Sequence, residues 1–349
     1  MKFILKLVLI NSFIAMSISN NLNAQYTNLN KVAIVYPEKL PEKREILTSF
    51  YDEFLQLLIN SKEISEITII HRQGLKEKLT KAFPSTKVKL FEYSSVQDIW
   101  IRDFAPFLII DSIAYKGIYN PSYFMETNRK TSFLDDEKTI FYYASFDDNV
   151  GRKIAEQLGF ILKNVSITID GGNFIHSGSG IGITTNRIVS ENESMSIQEI
   201  NDFFKENFGI KKLIILPVEP GDETGHIDGM VRFIDSNTVI VAEYEQDYKE
   251  GHDFMNKIAK LLSSEFNVVR VLNETPKPQS SDEFVSAYGN YINFLQVGNT
   301  IFLPQYGIID KDKAAIKILE KYFKVVPVKK GIDKLSKLGG VLNCITWNY

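Results

Sequence analysis

Two stretches of similar design, DSNTVIVAEY at Asp235–Tyr244 and VGNTIFLPQY at Val297–Tyr306, indicate how this chain is built. In each, a short turn sequence leads into an apolar run that is typical of a buried β-strand. Segments with helical spacing follow the two strands, at His252–Ser264 and Lys311–Phe323. The repetition predicts a chain assembled from small units of strand and helix.

The same alternation extends along the rest of the chain from residue 25. Further strands are predicted at Lys31–Tyr36, Glu66–Ile70, Val88–Tyr93, Thr139–Tyr143, Ile181–Thr185, Lys212–Val218, Asn267–Leu272 and Lys324–Val328. Further helices are predicted at Lys43–Asn60, Gln73–Phe83 and Ser196–Phe208. Because no Pro/Gly/Ser-rich linker interrupts residues 25–349, we expect one α/β domain. On the residues alone two architectures stay open, namely repeated α/β units, which we prefer, and the doubly wound sheet that such alternation usually indicates.

The N-terminal segment, residues 1–24, has a different composition. Two lysines, Lys2 and Lys6, precede an apolar run from Leu7 to Ile18, and a polar stretch ends at the small residue Ala24. These three regions predict a secretory signal peptide that is cleaved after Ala24, so we expect an exported protein that is periplasmic or secreted. The alternatives are an uncleaved membrane anchor and an amphipathic helix.

The overall composition excludes several classes of function. The 349 residues are 44% hydrophobic, and the formal net charge is −3, which argues against a nucleic-acid partner because such proteins carry a basic face. After the N-terminal segment no apolar run is long enough to span a membrane. The single cysteine, Cys344, excludes an internal disulfide and is either a reactive thiol or an ordinary buried one.

Four polar segments stand at the ends of apolar strands, namely DIWIRD at Asp98–Asp103, IDGGNF at Ile169–Phe174, EPGDETGHIDG at Glu219–Gly229 and LGGVLNCIT at Leu338–Thr346. Each alone has an ordinary interpretation as turn or capping residues. The paired glycines also suit a close approach of backbone to a ligand.

The third segment brings two chemically active side chains together. His226 and Asp228 are two positions apart, so in a strand both would face the same side. The other histidines, His71, His176 and His252, lie in no comparable cluster, which disfavours a metal site.

Together and in this order, the four segments resemble the guanidino-group modifying enzymes, the pentein superfamily. The resemblance is greatest to agmatine deiminase and to the Porphyromonas-type peptidylarginine deiminases, and it covers the chain from residue 25 onward. Its motifs are Trp100-Ile-Arg102-Asp103, Asp170-Gly-Gly-Asn173, Gly225-His226-Ile-Asp228 and Gly339-Gly340-Val-Leu-Asn-Cys344-Ile-Thr346, with a further similar strand at Tyr291–Pro304. The resemblance implies a five-bladed α/β propeller with a pseudo-fivefold repeat.

The same resemblance implies a reaction and the residues that carry it. Asp103 and Asp228 would hold a planar guanidinium through paired N–H bonds. Cys344 would attack its central carbon as a thiolate, and His226 would act as acid and then as base. The products are a ureido compound and ammonia, and neither a metal nor an organic cofactor is expected. The residues expected to contact the substrate are Trp100, Arg102, Asn173 and Asn293.

Departures from the family pattern lie beside the motif residues and bear on the substrate. They are Ala105, Met230, Asn343 and Trp347. Because we expect export, the first candidate substrate is an arginine side chain in a peptide or protein. The alternatives are agmatine, turned over in putrescine synthesis, a guanidinium-binding protein without catalysis, and an amidinotransferase with the same Cys and His.

Overall fold

A computed structural model describes residues 29–41, 44–123, 137–276 and 286–349 of the chain. The predicted signal peptide, residues 1–24, lies outside the described residues. In the part that the structure describes, no helix is both long and apolar enough to cross a membrane.

The strands are short, and we number them in chain order. They are β1 (Lys31–Val35), β2 (Glu66–His71), β3 (Val88–Glu92), β4 (Leu108–Ile110), β5 (Ile113–Ile118), β6 (Ile161–Thr168), β7 (Ile175–His176), β8 (Ile181–Thr185), β9 (Lys212–Leu216), β10 (Val231–Phe233), β11 (Thr238–Glu243), β12 (Asn267–Leu272), β13 (Leu295–Val297), β14 (Thr300–Pro304), β15 (Lys324–Val328) and β16 (Trp347–Asn348).

Helices connect many of these strands. They are α1 (Thr48–Asn60), α2 (Lys76–Ala82), α3 (Ile101–Phe104), α4 (Glu137–Gln157), α5 (Arg187–Ser190), α6 (Ile197–Phe208), α7 (Lys249–Leu262), α8 (Ile309–Leu319) and α9 (Ile332–Ser336). Short 3₁₀ turns lie at Arg44–Leu47 and Gly171–Asn173.

Within the described residues the strands form five separate small sheets. Four share one design, in the orders β4-β5-β6, β7-β8-β9, β10-β11-β12 and β13-β14-β15. In each, the first strand pairs antiparallel with the second, and the second pairs parallel with the third across a helical connection. The fifth sheet, β16-β1-β2-β3, takes its antiparallel strand from the C-terminus of the chain.

The repeat predicted from the sequence is therefore confirmed, and the doubly wound alternative is wrong, because the strands do not share one sheet. The two stretches that indicated the repeat occupy equivalent places. Thr238 begins β11 and is paired with Asn267 of β12, while Thr300 begins β14 and is paired with Lys324 of β15.

One predicted strand, Thr139–Tyr143, is wrong because these residues belong to helix α4. The β-branched and aromatic side chains of this run favour a strand locally. Further along, however, the helix buries Val150 and Ile154, four residues apart, so its packing against the neighbouring strands outweighs the local preference.

Candidate active site

The four predicted catalytic residues share one kind of position in the repeat with Asn293, which was predicted to contact the substrate, and with Asp170. Each lies in a connection that leaves the last strand of one sheet and leads to the antiparallel first strand of another. These connections contain Asp103 after β3, Asp170 after β6, His226 and Asp228 after β9, Asn293 after β12 and Cys344 after β15. The repeat thus gathers chemically active side chains from five separate parts of the chain.

The backbone of Gly172 is hydrogen-bonded to both Asp103 and Asp228. Its backbone N–H donates to Oδ1 of Asp103 at 3.1 Å, and its carbonyl accepts the backbone N–H of Asp228 at 3.2 Å. A Cβ atom at position 172 would lie 2.7 Å from Asp103 Oδ1 and 2.7 Å from His226 Nδ1. The paired glycines therefore allow a close approach of backbone to the side chains of the site, which goes beyond an ordinary turn.

His226 lies between two acids. Its Nδ1 is 3.6 Å from Asp103 Oδ1, and its Nε2 is 3.2 Å from Asp170 Oδ2. Burial alone would lower the pKa of His226, but the two carboxylates outweigh burial and raise this pKa to about 10. The imidazole is therefore held as the imidazolium at neutral pH, a form that can donate a proton.

Cys344 is buried beside two polar side chains from other connections. Its Sγ lies 3.4 Å from Asn293 Oδ1 and 4.0 Å from Asp228 Oδ2. Burial raises the pKa of the thiol well above its usual value, and the nearby carboxylates of Asp228 and Asp103 raise it further. Without a bound cation the sulfur is thus held as the thiol, and a positively charged ligand would favour the thiolate.

Arg102 holds the segment that carries the cysteine. Its backbone N–H donates to the Cys344 carbonyl at 3.1 Å, and its Nε donates to the Asn343 carbonyl at 3.2 Å. Its Nη2 donates to Asn348 Oδ1 at 2.8 Å. These bonds support a positioning role for Arg102, whereas the expected contact with substrate stays a prediction.

Trp100 and Asn173 also border this group of residues. A Cβ atom at Gly340 would lie 2.6 Å from the Trp100 ring and 3.0 Å from Cys344 Cβ, so the indole packs beside the cysteine segment. Asn173 Oδ1 accepts the backbone N–H of Thr185 at 3.1 Å. Both residues are well placed to shape the site, and direct substrate contact by either stays a prediction.

Comparison with known proteins agrees with this geometry. Residues 21–349 match the Porphyromonas-type peptidyl-arginine deiminase family. The chain belongs to this family. Its members are deiminases, which are hydrolases that act on carbon–nitrogen bonds.

Individual relatives are distant but similar over most of their length. The agmatine deiminase of Medicago truncatula is 22% identical, over 90% of this chain and 91% of that protein. The structure is similar to that of C. jejuni agmatine deiminase, with a TM-score of 0.75, 23% identity and coverage of 93% of this chain and 94% of that one. A C. jejuni cysteine-to-serine variant with substrate bound gives a TM-score of 0.72 at 22% identity, with 93% and 94% coverage. These neighbours support a pentein-type α/β fold.

Sequence analysis of this deiminase-family chain missed two residues of the site. Asp170 contacts His226 directly, and Tyr123 donates its hydroxyl to Asp170 Oδ2 at 3.2 Å. The ring of Tyr123 also contacts the imidazole edge-on, with 6.0 Å between ring centroids. The acid of the DGGN motif could have indicated Asp170, but Tyr123 lies in no motif, and only the fold brings it to His226.

Proposed function

We propose that this chain hydrolyses the guanidinium group of its substrate to a ureido group and ammonia through a covalent intermediate on Cys344. The observation that carries the proposal is the convergence at Gly172, where Asp103 from the connection after β3 meets His226 and Asp228 from the connection after β9. The nearby Cys344 adds a nucleophile to this acidic group.

The polar atoms of the site favour a ligand that only donates hydrogen bonds. Asp103, Asp170 and Asp228 are all buried, and Asp170 Oδ1 has no hydrogen-bond partner among the described residues. A guanidinium is planar and cationic, and it carries N–H donors without an acceptor. Such a ligand would satisfy these carboxylates and offset their mutual repulsion.

The first half of the reaction forms the sulfur–carbon bond. The bound cation favours the Cys344 thiolate, which attacks the central guanidinium carbon and gives a tetrahedral adduct. The His226 imidazolium donates its proton to the departing nitrogen. Ammonia leaves, and the carbon remains bound to sulfur as a thiouronium.

The second half reverses the roles of the same two residues. His226, now neutral, removes a proton from a water molecule as that water attacks the thiouronium carbon. The new tetrahedral adduct collapses and expels the Cys344 thiolate, and the ureido product is released. The Cys344 thiol releases its proton to solvent when the cation binds, and the hydroxyl proton of the second adduct passes to solvent as the ureido product forms.

For the substrate, we propose an arginine side chain in a peptide or protein first and agmatine second. Membership of the peptidyl-arginine deiminase family and the predicted export of the chain support the first. The relatives named as agmatine deiminases support the second. In the first case the product is peptidyl citrulline, and in the second it is N-carbamoylputrescine.

We also propose that the five sheets are the blades of a five-bladed propeller and that the protein is exported. The shared strand order and the antiparallel pairing of β16 with β1 support the propeller. An experimental structure whose sheets do not surround one axis would contradict it.

For export, mass spectrometry of protein from the periplasm and medium should find a mature N-terminus at Gln25, and a cell-associated chain that retains Met1 would contradict the proposal.

The function is tested with purified residues 25–349. The substrates are agmatine, free arginine, and peptides with internal or C-terminal arginine, and the products assayed are the ureido compound and ammonia. We expect turnover that is lost in Cys344→Ala. An added amine acceptor that becomes amidinated would identify an amidinotransferase. Binding of guanidinium compounds without turnover of any would identify a non-catalytic binder.

A further inference from the structure

Asn343 precedes the proposed nucleophile and is fixed on both sides. Its backbone N–H is accepted by the carbonyl and side-chain oxygens of Asn293, each at 3.2 Å. Its own carbonyl accepts Nε of Arg102 at 3.2 Å. The side chain is buried, and its Nδ2 donates to Asp228 Oδ2 at 2.6 Å. The backbone of Asn343 is therefore fixed on both sides, and the bond to Asp228 orients its side chain.

The amide oxygen of Asn343 differs from the amide nitrogen. It is buried and has no hydrogen-bond partner among the described residues. With the amide reversed, the Asn343 oxygen would face the Asp228 oxygen, acceptor to acceptor, in place of the 2.6 Å hydrogen bond. A buried acceptor without a partner is unfavourable in free energy, because its lost hydrogen bonds to water are not replaced. A ligand that brings an N–H to this oxygen recovers that free energy on binding.

We propose that Asn343 is a specificity-determining residue, whose amide nitrogen fixes Asp228 while its amide oxygen accepts an N–H of the bound substrate. This inference rests on the proposed function, because the ligand is the guanidinium group. Asn343 would then distinguish a guanidinium from an amidinium, which is also planar and cationic but has a carbon in place of one nitrogen. A ligand that lacks the N–H leaves the Asn343 oxygen unpaired and binds more weakly.

The test uses two ligands that differ only at that group, N-butylguanidine and N-butylacetamidine. Their dissociation constants are measured by calorimetry with Cys344→Ala protein, in which no turnover occurs. We expect about a tenfold preference or more for the guanidine, as one unpaired acceptor predicts. Adding Asn343→Ala should reduce the preference to less than about threefold. Asn201→Ala, on helix α6, where the side chain bonds the Ile197 carbonyl of its own helix, should leave the preference unchanged.

Circular dichroism checks that each variant is folded, and Asn343→Ser replaces the alanine variant if that one is not. Asn343→Ala could weaken the binding of both ligands equally and keep the preference for the guanidine. Asn343 would then only hold Asp228, and the inference would be wrong although the proposed function stands. If neither ligand binds the Cys344→Ala protein and the wild type turns over no guanidinium compound, the proposed function fails together with the inference.

Discussion

Oδ1 of Asp103 lies 3.6 Å from Nδ1 of His226, and the same oxygen accepts the backbone N–H of Gly172 at 3.1 Å. The carboxylate is therefore shared between an imidazolium and a fixed backbone donor before any substrate arrives. One side chain, His226, and one backbone N–H therefore orient Asp103. The arrangement depends on the absence of a side chain at position 172.

Substitution of Gly172 by alanine should separate Asp103 from His226. The new Cβ would lie 2.7 Å from both side chains, so at least one must move by several tenths of an ångström. Because displacements of about 1 Å at a site can cost about 100-fold in rate, we expect a loss of that order in kcat/KM. Gly159→Ala is the control for backbone strain alone, because Gly159 has a φ of +88° but its Cβ would meet nothing within 4 Å, and we expect it to keep its activity. Wild-type activity in Gly172→Ala would contradict the proposed role of this glycine.

The pH dependence of kcat/KM should show a maximum on the alkaline side of neutrality. Burial raises the pKa of Asp103 to about 7 and raises that of the Cys344 thiol well above its usual value. As the pH falls, both groups bind protons, so guanidinium binding and nucleophilic attack weaken. As the pH rises through about 10, His226 loses the proton that the leaving ammonia needs. Steady-state assays across this interval check the profile, because kcat/KM reports ionisation of the free enzyme, and a maximum on the acid side would contradict it.

Tyr123→Phe should change the pKa of His226 through its effect on Asp170. The substitution removes the hydroxyl that donates to Asp170 Oδ2, the oxygen that also contacts His226 Nε2. The carboxylate then interacts more strongly with the imidazolium, so the pKa of His226 should rise and the alkaline limb of the kcat/KM profile should move to higher pH. We expect kcat to fall by about tenfold, since a bond to a charged group contributes roughly 1.5–3 kcal/mol.

The matched control for Tyr123→Phe is Tyr142→Phe, because Tyr142 is 60% exposed. Its pH profile should coincide with that of the wild type. An unshifted alkaline limb in Tyr123→Phe would show that this tyrosine only fills space beside the imidazole.

Local sequence patterns predicted much of this protein because each repeat carries its own turn and strand. The stretches beginning at Asp235 and Val297 predict their strands correctly, and the order of motifs indicates which side chains converge. Sequence could not place Thr139–Tyr143 in a helix, since that outcome depends on packing against other elements. Nor could it show that Tyr123 contacts His226, because the contact joins two connections whose proximity only the fold determines.

The C-terminal residues should be essential for activity, although chain ends are often frayed. Trp347 and Asn348 form the strand that pairs with β1, and Trp347 Nε1 donates to the Pro106 carbonyl at 2.9 Å. Asn348 Oδ1 accepts a hydrogen bond from the Arg102 guanidinium, which also donates to the Asn343 carbonyl. This network fixes Cys344, which would otherwise lie near a free end.

Deletion of residues 347–349 should therefore abolish turnover and lower the free energy of unfolding, because removing a buried tryptophan alone costs about 3–5 kcal/mol. Asn348→Ala separates positioning from stability. It leaves Nη2 of Arg102 without its Asn348 partner, so we expect a loss of about 1–3 kcal/mol in unfolding free energy and a larger relative loss in kcat than in KM. Tyr349→Phe keeps the ring stacked on Trp347 but loses the hydroxyl bonds to Thr68 and Glu66. It is the control for lost stability without lost positioning, and it should remain active. Urea unfolding and steady-state kinetics measure both effects, and a truncated chain with wild-type kcat would show that Cys344 is positioned by other contacts.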